Sequence, residues 1–235
     1  MPKVRCDLHI HTALSPCAAP EMTPKNIVNM ATLAGASVIA ITDHNSVRNV
    51  WAVTAAAGNK LVVIPGMEVW TREDVHLLCL FPHLMAAETF GRKVYAALPN
   101  RRGDADLFGQ QYLFDSENKI IGWEERLLLS PVELSIDDAC KEVTLLGGVV
   151  IPAHVDRTYS VVTQLGFIPP HLPIGLVEVS RRGKQPEKVR AYPYVTNSDA
   201  HSLAALAGSI PWELEVAVST IEGVIEALRL KIKQR

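Results

Sequence analysis

Short apolar runs recur along the chain at residues 4–10, 37–42, 61–69, 75–81, 148–152, 175–179 and 194–197, and each reads as a strand. Between several of them the pattern turns helical. Residues 24–34 open with Thr23-Pro24, residues 135–146 open with Ser135-Ile136-Asp137-Asp138, and residues 220–233 read as a closing amphipathic helix. Strands alternating with helices predict an α/β fold with parallel strands and the helices outside. Polar residues of the metal-binding type stand mostly where a strand ends, which is where a βα barrel or an open α/β sheet gathers its active-site loops. The number of contributing segments favours a barrel.

Residues 85–131 break this rhythm with Arg101-Arg102-Gly103-Asp104, the polar turn Asp115-Ser116-Glu117-Asn118 and an alternating stretch at 119–123. They read as an insertion holding a helix and a hairpin, either a packing or oligomer-contact element or a substrate lid. The rest of 1–235 reads as one domain, since 235 residues with 48% hydrophobic and 20% charged positions can enclose a single large core.

Charge and cysteine usage narrow the function classes. A net charge of −2 and a pI near 6.4 give no broad cationic face, so the expected partner is a small phosphorylated molecule, with no long nucleic acid and no membrane. The N-terminus leaves no room for a leader before the first polar cluster, and no apolar run reaches spanning length. Cys6, Cys17, Cys79 and Cys140 are widely spaced, and a reduced cytoplasmic setting is the simpler expectation.

Candidate chemistry comes from the histidines. Six of the eight fall in clusters near strand ends: Asp7-Leu8-His9-Ile10-His11, Thr42-Asp43-His44, Val75-His76, Ala153-His154 and Asp199-Ala200-His201, with Glu68 after its own apolar run. Alternation along an extended backbone turns His9 and His11 to one side. Imidazoles and carboxylates in this density suit two or three divalent ions, zinc, manganese or iron, and close ions need a bridging anion, for which Glu68 is the candidate. Asp7 and Asp43 each stand where they could bind metal or orient a neighbouring ligand. His83 and His171 lack carboxylate neighbours and read as loop residues.

These motifs, in this order, resemble the PHP (polymerase and histidinol phosphatase) superfamily of metal-dependent phosphoesterases. The resemblance implies a distorted seven-stranded (βα) barrel, a di- or trinuclear centre at the C-terminal strand ends, and phosphoester hydrolysis. Carried over residue by residue, it implies His9, His11, His44, Glu68, His76, His154, Asp199 and His201 as ligands. The chain departs from the pattern after the first motif, where it reads Ser15-Pro16-Cys17-Ala18; Cys17 is placed either to supply a thiolate or to pack as a small residue.

The expected mechanism is attack by water activated at the metals, with Asp7, His44, Glu68 and His201 as the catalytic candidates and no protein nucleophile. Arg181, Arg182 and Arg157 are candidates to clamp the phosphate, although Arg157 could equally pair with Asp156. A metal-dependent amide hydrolase and a non-catalytic metal-binding module are the competing readings.

Overall fold

A computed structural model describes residues 1–233. In chain order the elements are β1 (Lys3–Ile10), α1 (Pro24–Leu33), β2 (Val38–Ile41), α2 (Val50–Ala57), β3 (Val62–Trp70), β4 (His76–Leu80), α3 (Leu84–Ala97), α4 (Ala105–Phe108), β5 (Tyr112–Phe114), β6 (Ile120–Trp123) and α5 (Ile136–Leu145). They continue with β7 (Val149–Pro152), α6 (Val161–Gln164), β8 (Val177–Glu178), β9 (Tyr194–Val195), α7 (Leu203–Ala207), β10 (Trp212–Glu215) and α8 (Ile221–Lys233).

Six strands form one mixed sheet in the order β10-β1-β2-β3-β4-β7. β1, β2 and β3 run parallel; β4 is antiparallel to both β3 and β7, and β10 is antiparallel to β1. The short parallel pair β8-β9 spans the gap between the ends: Val155 N donates to Glu178 O at 2.8 Å, and Ile10 bridges to Ala200. The curled six-stranded sheet is an open half-barrel, and with β8-β9 beside it the arrangement matches a distorted (βα) barrel. The hairpin β5-β6 stands apart as a sheet of its own.

The two faces of the sheet bury different clusters. One packs Cys6, Leu8, Val38, Ala40, Ile64, Leu78 and Ile151 against Val224, Ile225 and Leu228 of α8. The other packs Ile39, Ile41, Val63, Met67, Leu77 and Val150 against α1, α2, α3 and α5. Burial on both faces is why β2 is apolar throughout. α5 starts where its sequence says it should: Ser135 Oγ accepts from Asp138 N at 3.0 Å, and two aspartates occupy the first turn.

Two local irregularities position the site. Between Asp7 and Ile10 the register of β1 against β2 slips by one residue. Val4, Cys6 and Leu8 lie in one cluster and Ile10 in the other, so the bulge moves odd-numbered His9 and His11 to the side that Leu8 occupied just before. In β3, residues 62–65 pair with β2 and residues 66–70 pair with β4. The change of partner falls at Pro65-Gly66. A Cβ on Gly66 would stand 2.9 Å from Thr42 Cγ2 and 3.1 Å from Ile41 O, so only glycine lets the strands approach there. Glu68 follows two residues later. Among the described residues no helix is long and apolar enough to cross a membrane.

Candidate metal centre

Glu68 is 1% exposed and sits among five imidazoles. Its Oε1 is 2.9 Å from His76 Nδ1 and 3.2 Å from His154 Nε2; its Oε2 is 3.0 Å from His44 Nδ1 and 3.4 Å from both His9 Nε2 and His11 Nε2. Around His9 Nε2, the Nε2 of His11 at 3.1 Å, Glu68 Oε2 and Asp199 Oδ1 at 3.3 Å all converge. Buried nitrogens and carboxylate oxygens crowded this closely need positive charge between them, from protons on the imidazoles or from metal ions.

The donor set fits metal ions. Glu68 Oε2, Asp199 Oδ1, His44 Nδ1, His76 Nε2 and His154 Nδ1 are buried with no hydrogen-bond partner among the described residues. Three groups of donor atoms each lie within 4.8 Å of one another: His9, His11 and Asp199; His44, Glu68 and His76; and His11, His44 and His201. Imidazole nitrogen with carboxylate oxygen is the donor chemistry of zinc, manganese and iron.

A ring of hydrogen bonds fixes the ligand rings. Glu178, 2% exposed, holds His9 Nδ1 at 3.0 and 3.1 Å, accepts from His154 N at 2.9 Å and from Asn197 Nδ2 at 2.7 Å. His11 Nδ1 lies 2.9 Å from Ser15 Oγ, whose own proton goes to Asp43 Oδ1 at 2.7 Å. The serine hydroxyl has one proton, so it accepts from His11 and leaves His11 Nε2 directed at the centre. Asp43 also accepts from Thr12 N and Thr12 Oγ1, both at 2.7 Å, which makes it an orienting residue. His201 Nδ1 donates to Asp199 O at 3.0 Å.

Sequence reasoning missed Glu178, Ser15 and Asn197. The available signal for Glu178 was a single carboxylate inside the apolar run 175–179. Asp7 and Cys17 join none of the three groups: Asp7 Oδ1 accepts from Ser198 N at 3.0 Å, next to Asp199, and Cys17 is an exposed residue. Arg157 pairs with Asp199 Oδ2 at 2.8 Å, while Asp156 turns to Ser180 N. Arg181 and Arg182 are exposed on the loop after β8.

Backbone strain collects here. Of the six non-glycine residues with positive φ, His154, Asp199 and Tyr159 bear on this site, and Asn45 follows His44. Each costs on the order of 1–3 kcal/mol, which the surrounding structure offsets. Tyr159, at φ 60°, stacks on His76 with ring centroids 5.6 Å apart and planes 13° apart. An open cleft of about 610 Å³ lined by His76, His154, Asp156, Arg157 and Tyr159 reaches the centre from this side.

The electrostatics predict a pH signature. Burial alone would raise Glu68 and Asp199, yet the imidazoles around them, His76 and His9 first for Glu68 and His9 first for Asp199, hold both below the usual carboxylate range. Burial alone would lower His9, but Glu178, Asp199 and Glu68 hold it well above 6.5. Depressed carboxylates stabilise the fold above their unfolded pKa of about 4 and lose that contribution as pH falls; a raised His9 contributes fully below about 6.5 and loses it as pH rises. Burial, aided by neighbouring imidazoles, lowers His11 and His44, so their contribution falls as pH drops below about 6.5. The metal-free protein is therefore expected to be most stable between roughly pH 4 and 6.5, toward the upper end, and metal loading to move the optimum upward because ligands must shed protons. Thermal melts across pH, with and without metal, check it; identical pH profiles would refute it.

The sequence profile of the PHP domain matches residues 7–145. Among solved structures, the chain is similar to an endonuclease Q complex with a 27-mer duplex substrate carrying an abasic lesion at the active site, at a TM-score of 0.71 and 20% identity over 99% of this chain and 57% of that one. It is similar to the lesion-specific endonuclease PfuEndoQ from Pyrococcus furiosus, at 0.68 and 20% over 97% and 56%. A proposed metal-dependent phosphoesterase from Bifidobacterium adolescentis matches at 0.56 and 20% over 95% of both chains. The chain thus spans a little over half the length of the two endonucleases, and no curated protein matches its sequence.

An endonuclease bound to a duplex among these neighbours overturns the expectation of no long nucleic acid. The net charge of −2 averages over the whole surface and hides local excess: residues 181–190 hold Arg181, Arg182, Lys184, Lys188 and Arg190 against one acid, Glu187. The matched region runs from Asp7 through His9, His11, His44, Glu68 and His76, and on that basis the chain belongs to the PHP domain family.

Proposed function

We propose that this chain hydrolyses phosphodiester bonds of nucleic acid with two or three divalent ions, zinc, manganese or iron. The observation that carries the reading is Glu68, both of whose oxygens face imidazole nitrogens, so that one carboxylate can serve two ions. His9, His11 and Asp199 would hold one ion, and His44, Glu68 and His76 a second. His11 and His44 each have one lone pair to give, so the third grouping, with His201, is an alternative to these two and leaves His201 free of metal when they are filled. His154 adds its Nε2 beside Glu68.

Bound ions supply Lewis-acid polarisation of the phosphoryl group and an activated water. The chain does the positioning. Glu178 and the Asp43–Ser15 pair hold the His9 and His11 rings with Nε2 toward the centre. Arg157, anchored by Asp199 but half exposed, offers its remaining N–H donors to a non-bridging phosphate oxygen. Arg181 and Arg182, exposed on the loop after β8, would add cationic contacts to a polynucleotide backbone. The His201 side chain is the most exposed imidazole of the centre at 31%, with Nδ1 committed to Asp199 O, and its Nε2 is placed to hold a proton for the leaving oxygen.

The test is cleavage of labelled single-stranded, duplex and abasic-duplex oligonucleotides by protein of measured metal content, with a phosphomonoester alongside. Strand scission that rises with metal content is expected. A metal-replete protein that leaves every oligonucleotide intact would remove the reading.

A further inference from the structure

The loop from β7 to α6 carries His154, Arg157 and Tyr159 within six residues, two of them in the left-handed region of backbone space. Tyr159 is tied in place by its own backbone, whose carbonyl accepts from His76 N at 2.8 Å. Its ring lies flat against His76, while Trp70 stands across the edges of both rings, 4.9 Å from Tyr159 at 59° and 5.1 Å from His76 at 64°. Tyr159 is nonetheless 41% exposed and lines the open cleft beside His76, His154 and Arg157. A tyrosine needed only to buttress His76 would be covered, and a bulky residue at φ 60° is not the low-energy way to fill space.

We infer that Tyr159 is a specificity-determining residue that stacks a nucleobase next to the scissile phosphate. The inference rests on the nucleic-acid reading above and adds to it the element that senses a base. A ring stacked on Tyr159 lies in the cleft that also exposes His76, His154 and Arg157. The phosphate of that nucleotide then falls between the Arg157 guanidinium, 2.8 Å from Asp199, and the imidazoles of the centre. Stacking uses the π-face common to all bases, so the contact reads the presence of a base more than its identity.

The experiment is a double-mutant cycle by fluorescence anisotropy on the metal-replete protein. The probes are a short labelled oligothymidylate and a series in which one abasic residue moves along it. Tyr159→Ala is expected to weaken binding of the intact strand about tenfold. At one abasic position the substitution costs nothing further, giving a coupling of about that size. Tyr159→Phe is expected to bind as wild type does, since it keeps the ring. Equal losses from Tyr159→Ala at every position, or a loss of metal in that variant, would make Tyr159 a prop for His76 and overturn the proposal. So would a wild type that does not bind the strand. Binding that shows the coupling without any cleavage would retain the stacking and refute the hydrolase reading.

Discussion

Replacing Glu68 with glutamine is expected to lower hydrolysis by more than about 100-fold, the upper end for residues that only orient ligands, because a residue at the centre should exceed it. The substitution conserves size and removes one charge. It also turns one oxygen into an NH₂ group, and neither orientation of the amide is harmless. Placed at Oε1 the amide faces His76 and His154; placed at Oε2 it faces His44, His9 and His11. An amide nitrogen has no lone pair to give a metal, so at least one ion loses a donor. Metal content by elemental analysis and turnover should fall together while the far-ultraviolet circular dichroism is unchanged. Full metal loading with wild-type turnover would show that Glu68 is not shared between ions.

Stripping the metal is expected to lower the melting temperature by about 10 °C: a ligand at a thousand times its Kd stabilises by about 4 kcal/mol, and each kcal/mol moves Tm by about 2–4 °C for a chain of this size. The origin is the crowding of buried donors around Glu68 and Asp199, several of which have no partner without a cation. Differential scanning calorimetry before and after chelation, followed by readdition of zinc, manganese or iron in turn, gives the shift and ranks the ions. A melting temperature insensitive to all three would remove the metal centre from the account.

Much of this was legible in the sequence because ligands follow apolar runs. His9, His11, His44, Glu68 and His76 all stand at strand ends or just past them, and strands buried on both faces are apolar at nearly every position. What escaped had no periodic signal. α2 reads Val-Trp-Ala-Val-Thr-Ala-Ala-Ala, apolar around most of its circumference, and β10 is a four-residue antiparallel edge. Glu178 lies in a two-residue strand and looks like the polar half of an alternation, though it turns inward to His9. Arg157 shows the limit of sequence proximity: its neighbour Asp156 was the obvious partner, yet the chain reverses at His154 and delivers the guanidinium to Asp199.

β1 is held on one side by residues from the far end of the described chain: Lys3–Cys6 pair with Trp212–Glu215, and Leu8 N donates to Asn197 Oδ1 across 189 residues. On a ribosome adding roughly 5–20 residues per second, the first two imidazoles therefore emerge some 10–40 s before the aspartate and histidine that complete their coordination. Until then they are an exposed, half-built chelator on a strand with an open edge. If these side chains hold metal as proposed, the complete centre would load late in synthesis, and premature capture of an ion by His9 and His11 would be the hazard of this topology.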